Sequence, residues 1–262
     1  MSNSALQVAR TGLDAQNTKM RVIANNLANV NTTGFKRDRA QFETLAYQQV
    51  VQQGAQADQQ NRFATGLSLG TGVAISGTAR IETQGSVQTT GNALDLAIEG
   101  AGYFQVSQPD GSMAYTRSGN FNLTADGTMV TSDGLPLEPQ IQVPEGATAI
   151  TIGADGTVSA TLAGQAEPSE LGRIELANFV NGAGLQSIGN NLLKETAASG
   201  APIVGAGGEE GRGLMRQGAL EGSNVNIVEE LVDMIETQRA YEVNSKMIQA
   251  TDEMLQFANQ QL

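Results

Sequence analysis

The 262-residue chain predicts an α+β fold, with terminal helices forming an antiparallel coiled coil, an extended linking arm and a central antiparallel β domain. Three observations carry this. Apolar residues recur every seven positions near the N-terminus, at Leu6, Leu13, Met20 and Leu27. They do so again near the C-terminus, at Ile227, Met234, Tyr241, Ile248, Leu255 and Leu262. Between the ends glycine is frequent, and Asp-Gly occurs at 110–111, 126–127, 133–134 and 155–156, beside short β-prone runs such as GYFQVSQ, FNLTA and TVSATL. That is the pattern of tight hairpins.

The first helix is expected over residues 1–30. A companion row three residues on, Ala9, Gln16, Ile23 and Val30, completes an a/d pattern, and no Gly or Pro interrupts it after Gly12. The end of this helix is rich in asparagine, at Asn25, Asn26, Asn29 and Asn31. Asn is a weak helix former and often ends a helix. The phase places Asn25, Asn26 and Asn29 inside the helix, where their amides suit register-fixing hydrogen bonds to neighbouring chains. Gly34 permits the positive φ of a helix C-cap and releases the chain outward. Phe35 is then placed to anchor the turn, and Lys36, Arg37 and Arg39 to meet carboxylates of an adjacent acidic subunit.

Residues 31–74 read as linker and extended arm. The stretch 48–66 is glutamine-rich and too polar to build a core. The β domain is expected over 75–222, with GRIELANF as a further strand and 198–213 (ASGAPIVGAGGEEGRG) as a flexible excursion. The second helix is expected over 223–262. Its companion row is Leu231, Gln238, Ser245, Asp252 and Asn259, and Val243, Met247, Ala250, Met254 and Phe257 form an adjacent stripe. Asn226 with Glu229 resembles a capping box, and Glu229 and Glu230 suit the positive end of the helix dipole. The stripes have two readings: a helical hairpin packed within the chain, or helices that pack chiefly against other subunits. Their narrowness and the polar residues on the seam (Gln16, Gln238, Ser245) favour the second.

Composition removes several function classes. Net charge is −12, the reverse of a nucleic-acid binder. Cys and His are both absent, so disulfides, Cys/His zinc sites and His-based triads are excluded. No apolar run approaches a membrane span, and the opening MSNSALQVARTGLDAQ has no basic n-region followed by an apolar h-region. Gly70-Thr71-Gly72 and Gly205-Ala206-Gly207-Gly208 complete no phosphate-binding motif and read as turns. Asp95, Glu99, Asp110 and Asp126 are the carboxylates available to an enzyme on a β scaffold. A binding module such as an adhesin is a further alternative.

The segments ANNLANVNTTGFKR and SNVNIVEELVDMIETQRAYEVNSKMIQATDEML, with DLAIEGAGYFQV and DGSMAYTRSGNF between them, resemble the bacterial flagellar rod and hook protein family. Length and the glutamine-rich arm are most similar to members at the distal end of the rod, and GLSLGTGV with ALEGSNVNIVEEL supports this. Another rod or hook-type axial subunit is the alternative. The resemblance implies a non-enzymatic structural subunit of a hollow helical tube that crosses the periplasm, exported through the flagellar type III apparatus without a cleaved leader. It implies as partners other copies of the chain, proximal rod and hook proteins, the surrounding ring proteins and the rod cap. It implies no cofactor, metal, nucleic acid or membrane insertion. Asn25, Asn26, Leu27, Asn29, Gly34, Phe35 and Lys36 match its N-terminal signature, and Arg239, Ala240 and Tyr241 its C-terminal one. The expected assembly surface comprises these residues and the heptad rows.

Overall fold

The computed structural model describes residues 2–53, 64–162 and 168–260, with the side chains of 2–5, 255 and 258–260 excepted. Contacts divide the chain into two units. The first is Met1–Leu27, Asp38–Ala79 and Ile227–Leu262; the second is Ala28–Arg37 and Arg80–Asn226.

The first unit is built on helix α1 (Ser2–Ala28) and helix α2 (Ile227–Gln260). No proline occurs in either, and α1 runs through its single Gly12. It stops at the asparagine-rich stretch, where Thr32 N–H bonds to the Asn29 carbonyl (3.1 Å) in a turn. Helix α2 opens with Glu229 and Glu230 in its first turn, the acidic placement that the helix dipole favours.

A two-stranded ribbon completes this unit. It consists of β1 (Asp38–Thr44), β2 (Tyr47–Val51), β3 (Leu67–Gly70) and β4 (Val73–Arg80). Strand β1 pairs with β4, and β2 with β3 in antiparallel register, Tyr47 opposite Gly70 and Gln49 opposite Ser68. Leu45 N–H to the Gly72 carbonyl (3.0 Å) links the two ladders. The glutamine-rich segment thus enters and leaves as a β ladder, and its part at 54–63 lies outside the described residues. Tyr47, Val50, Leu67 and Leu69 are all exposed along the ribbon. Gly72 turns between β3 and β4 with φ +122°, and a Cβ there would overlap the Thr11 hydroxyl of α1.

The second unit contains the remaining strands: β5 (Val87–Thr89), β6 (Leu96–Glu99), β7 (Tyr103–Ser107), β8 (Met113–Thr116), β9 (Phe121–Leu123), β10 (Met129–Thr131), β11 (Leu137–Glu138), β12 (Ala147–Ile152), β13 (Thr157–Leu162), β14 (Ser169–Arg173), β15 (Leu176–Asn178), β16 (Gln186–Gly189), β17 (Leu192–Lys194), β18 (Ile203–Gly205), β19 (Leu214–Gln217) and β20 (Ala219–Glu221). The largest sheet has the order β16-β17-β8-β7-β15-β18, with β11 also on β7. Pairs β9-β10, β6-β19 and β5-β20 and the triple β12-β13-β14 stand beside it, all antiparallel.

The Asp-Gly steps are turns, as their spacing predicts. Gly111, Gly127, Gly134 and Gly156 all have φ between 76° and 94°, where a side chain is strained. Strand alternation fills two cores. On β7, Phe104 and Val106 enter the main core with Leu96, Ile98, Phe121, Met129 and Leu176, while Tyr103 joins Tyr115, Phe179 and Leu193 on the other face. Phe104 and Phe121 meet edge to face, centroids 5.1 Å apart.

The expected flexible excursion at 198–213 is instead packed. Strand β18 pairs with β15, and the buried Arg212 donates Nε to the Ala206 carbonyl (3.0 Å). Glycine content hid this, because the order comes from a buried cation that holds its own loop.

Candidate functional site

The two terminal motifs, about 200 residues apart in sequence, come together in both units. In the second unit the centre is Glu221, at the end of β20 and 1% exposed. Its carboxylate accepts from Lys36 Nζ at 2.6 Å, Arg117 Nε at 2.6 Å and Gly85 N–H at 2.9 Å. The rest of the Arg117 guanidinium donates to the carbonyls of Ile98, Gly100 and Gly102, so both cations are buried with their donors engaged. Burial pushes the Glu221 carboxyl up, but the Arg117 charge and the hydrogen bonds from Lys36, Arg117 and Gly85 outweigh it and hold it below its ordinary value. Burial lowers Lys36, against the opposing pull of Glu221.

Gly34 fits this centre for two reasons. Its φ of +69° belongs to the left-handed region, and a Cβ would stand 2.7 Å from the Arg117 carbonyl carbon. Its N–H donates to the Glu221 carbonyl at 2.8 Å. One asparagine then gathers three segments of the same unit. Asn224 Oδ1 accepts from Arg37 N–H (2.7 Å), its Nδ2 donates to the carbonyls of Ile81 (2.8 Å) and Thr83 (3.0 Å), and its N–H reaches the Phe35 carbonyl (3.3 Å).

In the first unit Asn26 performs a similar task. It is 1% exposed. Its amide pairs with the backbone of Asp38 in both directions, Nδ2 to the carbonyl (2.9 Å) and Oδ1 from the N–H (3.0 Å). The same Nδ2 lies 3.2 and 3.3 Å from the oxygens of the buried Glu230 carboxylate on α2. Further along, a Cβ on Gly12 would stand 3.1 Å from Asn244 Nδ2. Fourteen residues separate the two levels on each helix, so α1 and α2 run antiparallel in one unbroken register. Midway between these two levels on α2, Thr237 is buried.

These positions correct several expectations. Lys36, expected to meet a neighbouring subunit, is buried against its own Glu221 and the Thr83 carbonyl, because the Gly34 N–H bond to the Glu221 carbonyl brings the end of β20 alongside it. Asn26 binds its own chain, and Asn29 Oδ1 accepts from Thr32 Oγ1 at 3.1 Å. Gly34 is not the C-cap of α1, which ends six residues earlier. Asn25 is exposed, Ile23 buried, and Leu6, Leu13, Gln16, Met20, Leu27 and Phe35 partly buried. On α2, Ile227, Leu231, Arg239 and Tyr241 are exposed, Met234 and Ile248 partly buried, and the side chains of Leu255 and Leu262 lie outside the described residues.

The contacts of α2 with α1 are thus made from the polar positions Glu230 and Asn244, while Met234 and Ile248 of the apolar heptad row are partly buried. The sequence reading also missed Glu221, Arg117, Asn224 and Gly12 as organisers. A charged residue in the strand-like run GALEG was the one available signal for Glu221.

Three of the four carboxylates available for acid–base chemistry, Asp95, Glu99 and Asp110, have structural partners. Asp95 accepts from Thr90 (2.6 Å) and Asn92 (3.0 Å), Glu99 pairs with Arg216 (3.1 Å), and Asp110 caps its turn through Ser112, whose hydroxyl and N–H hold that carboxyl below its ordinary value. Among the described residues no cluster of metal-binding side chains occurs, and no helix is long and apolar enough to cross a membrane.

A β unit flanked in sequence by two long helices, whose signatures meet in buried clasps, defines a class of axial structural subunits. Three family signatures match in chain order: "Flagella basal body rod protein" over residues 6–36, "Flagellar hook protein FlgE/F/G D1 domain" over 97–160 and "Flagellar basal body rod FlgEFG protein C-terminal" over 216–261. The chain belongs to the flagellar basal-body rod protein family. It is 50% identical over 256 residues to the flagellar basal-body rod protein FlgG of Buchnera aphidicola subsp. Acyrthosiphon pisum, covering 98% of each chain. It is 47% identical to the FlgG of Agrobacterium fabrum over 98% of this chain and 99% of that one, and 39% identical to the FlgG of Bacillus subtilis over 94% of each.

Proposed function

We propose that the chain is a structural, non-enzymatic subunit of the distal rod, polymerising into a hollow helical tube that carries motor torque to the hook. The observation that supports this most is the apolar surface of α2. Ile227, Val228, Leu231, Val232, Ile235, Val243, Met247, Met254 and Phe257 are all exposed in the single chain, while the polar Glu230 and Asn244 pack towards α1. An apolar surface of this extent on one helix marks an interaction site. In this reading α1 and α2 form an antiparallel coiled coil that builds the tube wall, and their apolar rows meet other copies of the chain. The ribbon that carries the glutamine-rich arm braces neighbouring subunits and stiffens the tube against bending. Rod and hook proteins continue the axis, ring proteins surround it, and the chain reaches its place through the flagellar export apparatus and rod cap.

Electron microscopy of concentrated protein tests the reading. Tubes are expected from the native chain and not from a Leu231→Asp/Ile235→Asp variant whose β unit unfolds at the native urea concentration. Native protein that forms no ordered polymer, or a variant that polymerises equally, would overturn it. Deleting 48–66 should give a tube that bends more easily; unchanged stiffness would remove the bracing role.

A further inference from the structure

We infer that Asn26 and Glu230 set the register of α1 against α2. Heptad spacing leaves register undecided: a one-heptad slip brings the same faces of α1 and α2 together again, because every row, including Leu6, Leu13, Met20 and Leu27 and Ile227, Met234, Tyr241 and Ile248, recurs after seven residues. The buried pair breaks that equivalence. A slip of seven residues moves Asn26 away from Glu230 by about 10 Å, and a buried carboxylate loses an amide donor. Such a polar contact fixes alignment at a cost in stability.

Two further contacts act in the same direction. Asn26 is tied to the backbone of Asp38 on both its donor and acceptor sides, which holds its amide in the orientation that meets Glu230. Gly12 leaves the space that Asn244 occupies, and a slip in one direction would put Lys19 there. Asn26 and Glu230 are thus positioning residues, selecting one of several alignments that the apolar pattern permits. This stands apart from polymerisation, because register is a property of one chain.

The absence of native cysteine makes the register directly readable. Gly12→Cys is combined in the full-length chain with Asn244→Cys, which reports the observed register, or with Thr237→Cys or Thr251→Cys, which report slips of one heptad either way. Oxidation of dilute chains gives intrachain products. With Asn26 and Glu230 intact, each slipped product is expected below about a tenth of the aligned one, as follows from losing one buried hydrogen-bonded contact. In an Asn26→Leu/Glu230→Leu background, which keeps the seam apolar and folded, the slipped products should rise to a level comparable with the aligned one. Glu230→Gln retains an acceptor for the Asn26 amide and should restore the aligned product. If the Leu/Leu chain lost helix by circular dichroism, Glu230→Leu alone is read in its place. Exclusive aligned cross-linking in the Leu backgrounds, equal cross-linking of all three pairs in the parent, or slipped products from Glu230→Gln would overturn the assignment.

Discussion

Replacing Glu221 by Gln removes one charge from a buried centre that holds two cations. The carboxylate receives Lys36 and Arg117, each at 2.6 Å, and the side chains of all three are at most 5% exposed. The amide that replaces it has one acceptor oxygen and presents an NH2 group to the cation on its other side. Breaking a buried ion pair from one side costs about 3–5 kcal/mol, because the partner is left charged and desolvated. Taking a urea slope of about 2 kcal/mol per M, the unfolding midpoint should fall by about 1.5–2.5 M. The chain has no Trp, and of its tyrosines Tyr103 and Tyr115 are buried in the second unit while Tyr47 and Tyr241 of the first are already exposed, so the change in tyrosine fluorescence reports chiefly on the second unit. The pH dependence gives a second readout. Glu221 is held below its ordinary 4.5 in the folded chain, so the unfolded state binds its proton first. Its contribution is full above that value and is lost as pH falls through the lower folded value. The native chain and the Gln variant should therefore converge in stability in acid. A midpoint shift under about 0.3 M at pH 7, roughly 0.6 kcal/mol on the same slope, or a difference that persists unchanged at pH 3, would refute this account of the centre.

Three other substitutions test the surrounding contacts. Lys36→Met should cost less than Glu221→Gln, about 1–2 kcal/mol, since Glu221 keeps Arg117 and the Gly85 N–H; equal losses in urea titration would contradict this. Gly34→Ala places a Cβ against the Arg117 backbone at positive φ and should cost about 1–3 kcal/mol, read from the same midpoint. Asn224→Ala leaves the Arg37 N–H without its 2.7 Å acceptor, and amide exchange at Arg37 should accelerate at least about tenfold, as the loss of one hydrogen bond implies.

Much of the architecture was legible because it is local. Asp-Gly steps require left-handed glycine wherever they turn, and heptad spacing holds a helix whatever it packs against. The site was less legible. Lys36 read as a surface cation because its carboxylate is 185 residues away. The 198–213 loop read as mobile because its order depends on a buried Arg212 rather than on its own composition. The heptads gave the phase of each helix but not its orientation, since several rows of the same helix repeat every seven residues.

Sequence alone determined that two long helices enclose a β domain, that no Cys or His chemistry is present, and which motifs carry the family signature. Tertiary structure decided what those motifs touch. It turned the asparagine-rich end of α1 into a clasp on Asp38 and Glu230, and it buried Lys36 beside Glu221. It also put the polar Glu230 and Asn244 of α2 against α1. The physical reason is that periodicity constrains a segment through its own backbone, whereas a buried charge or amide is satisfied by whichever distant group the fold delivers.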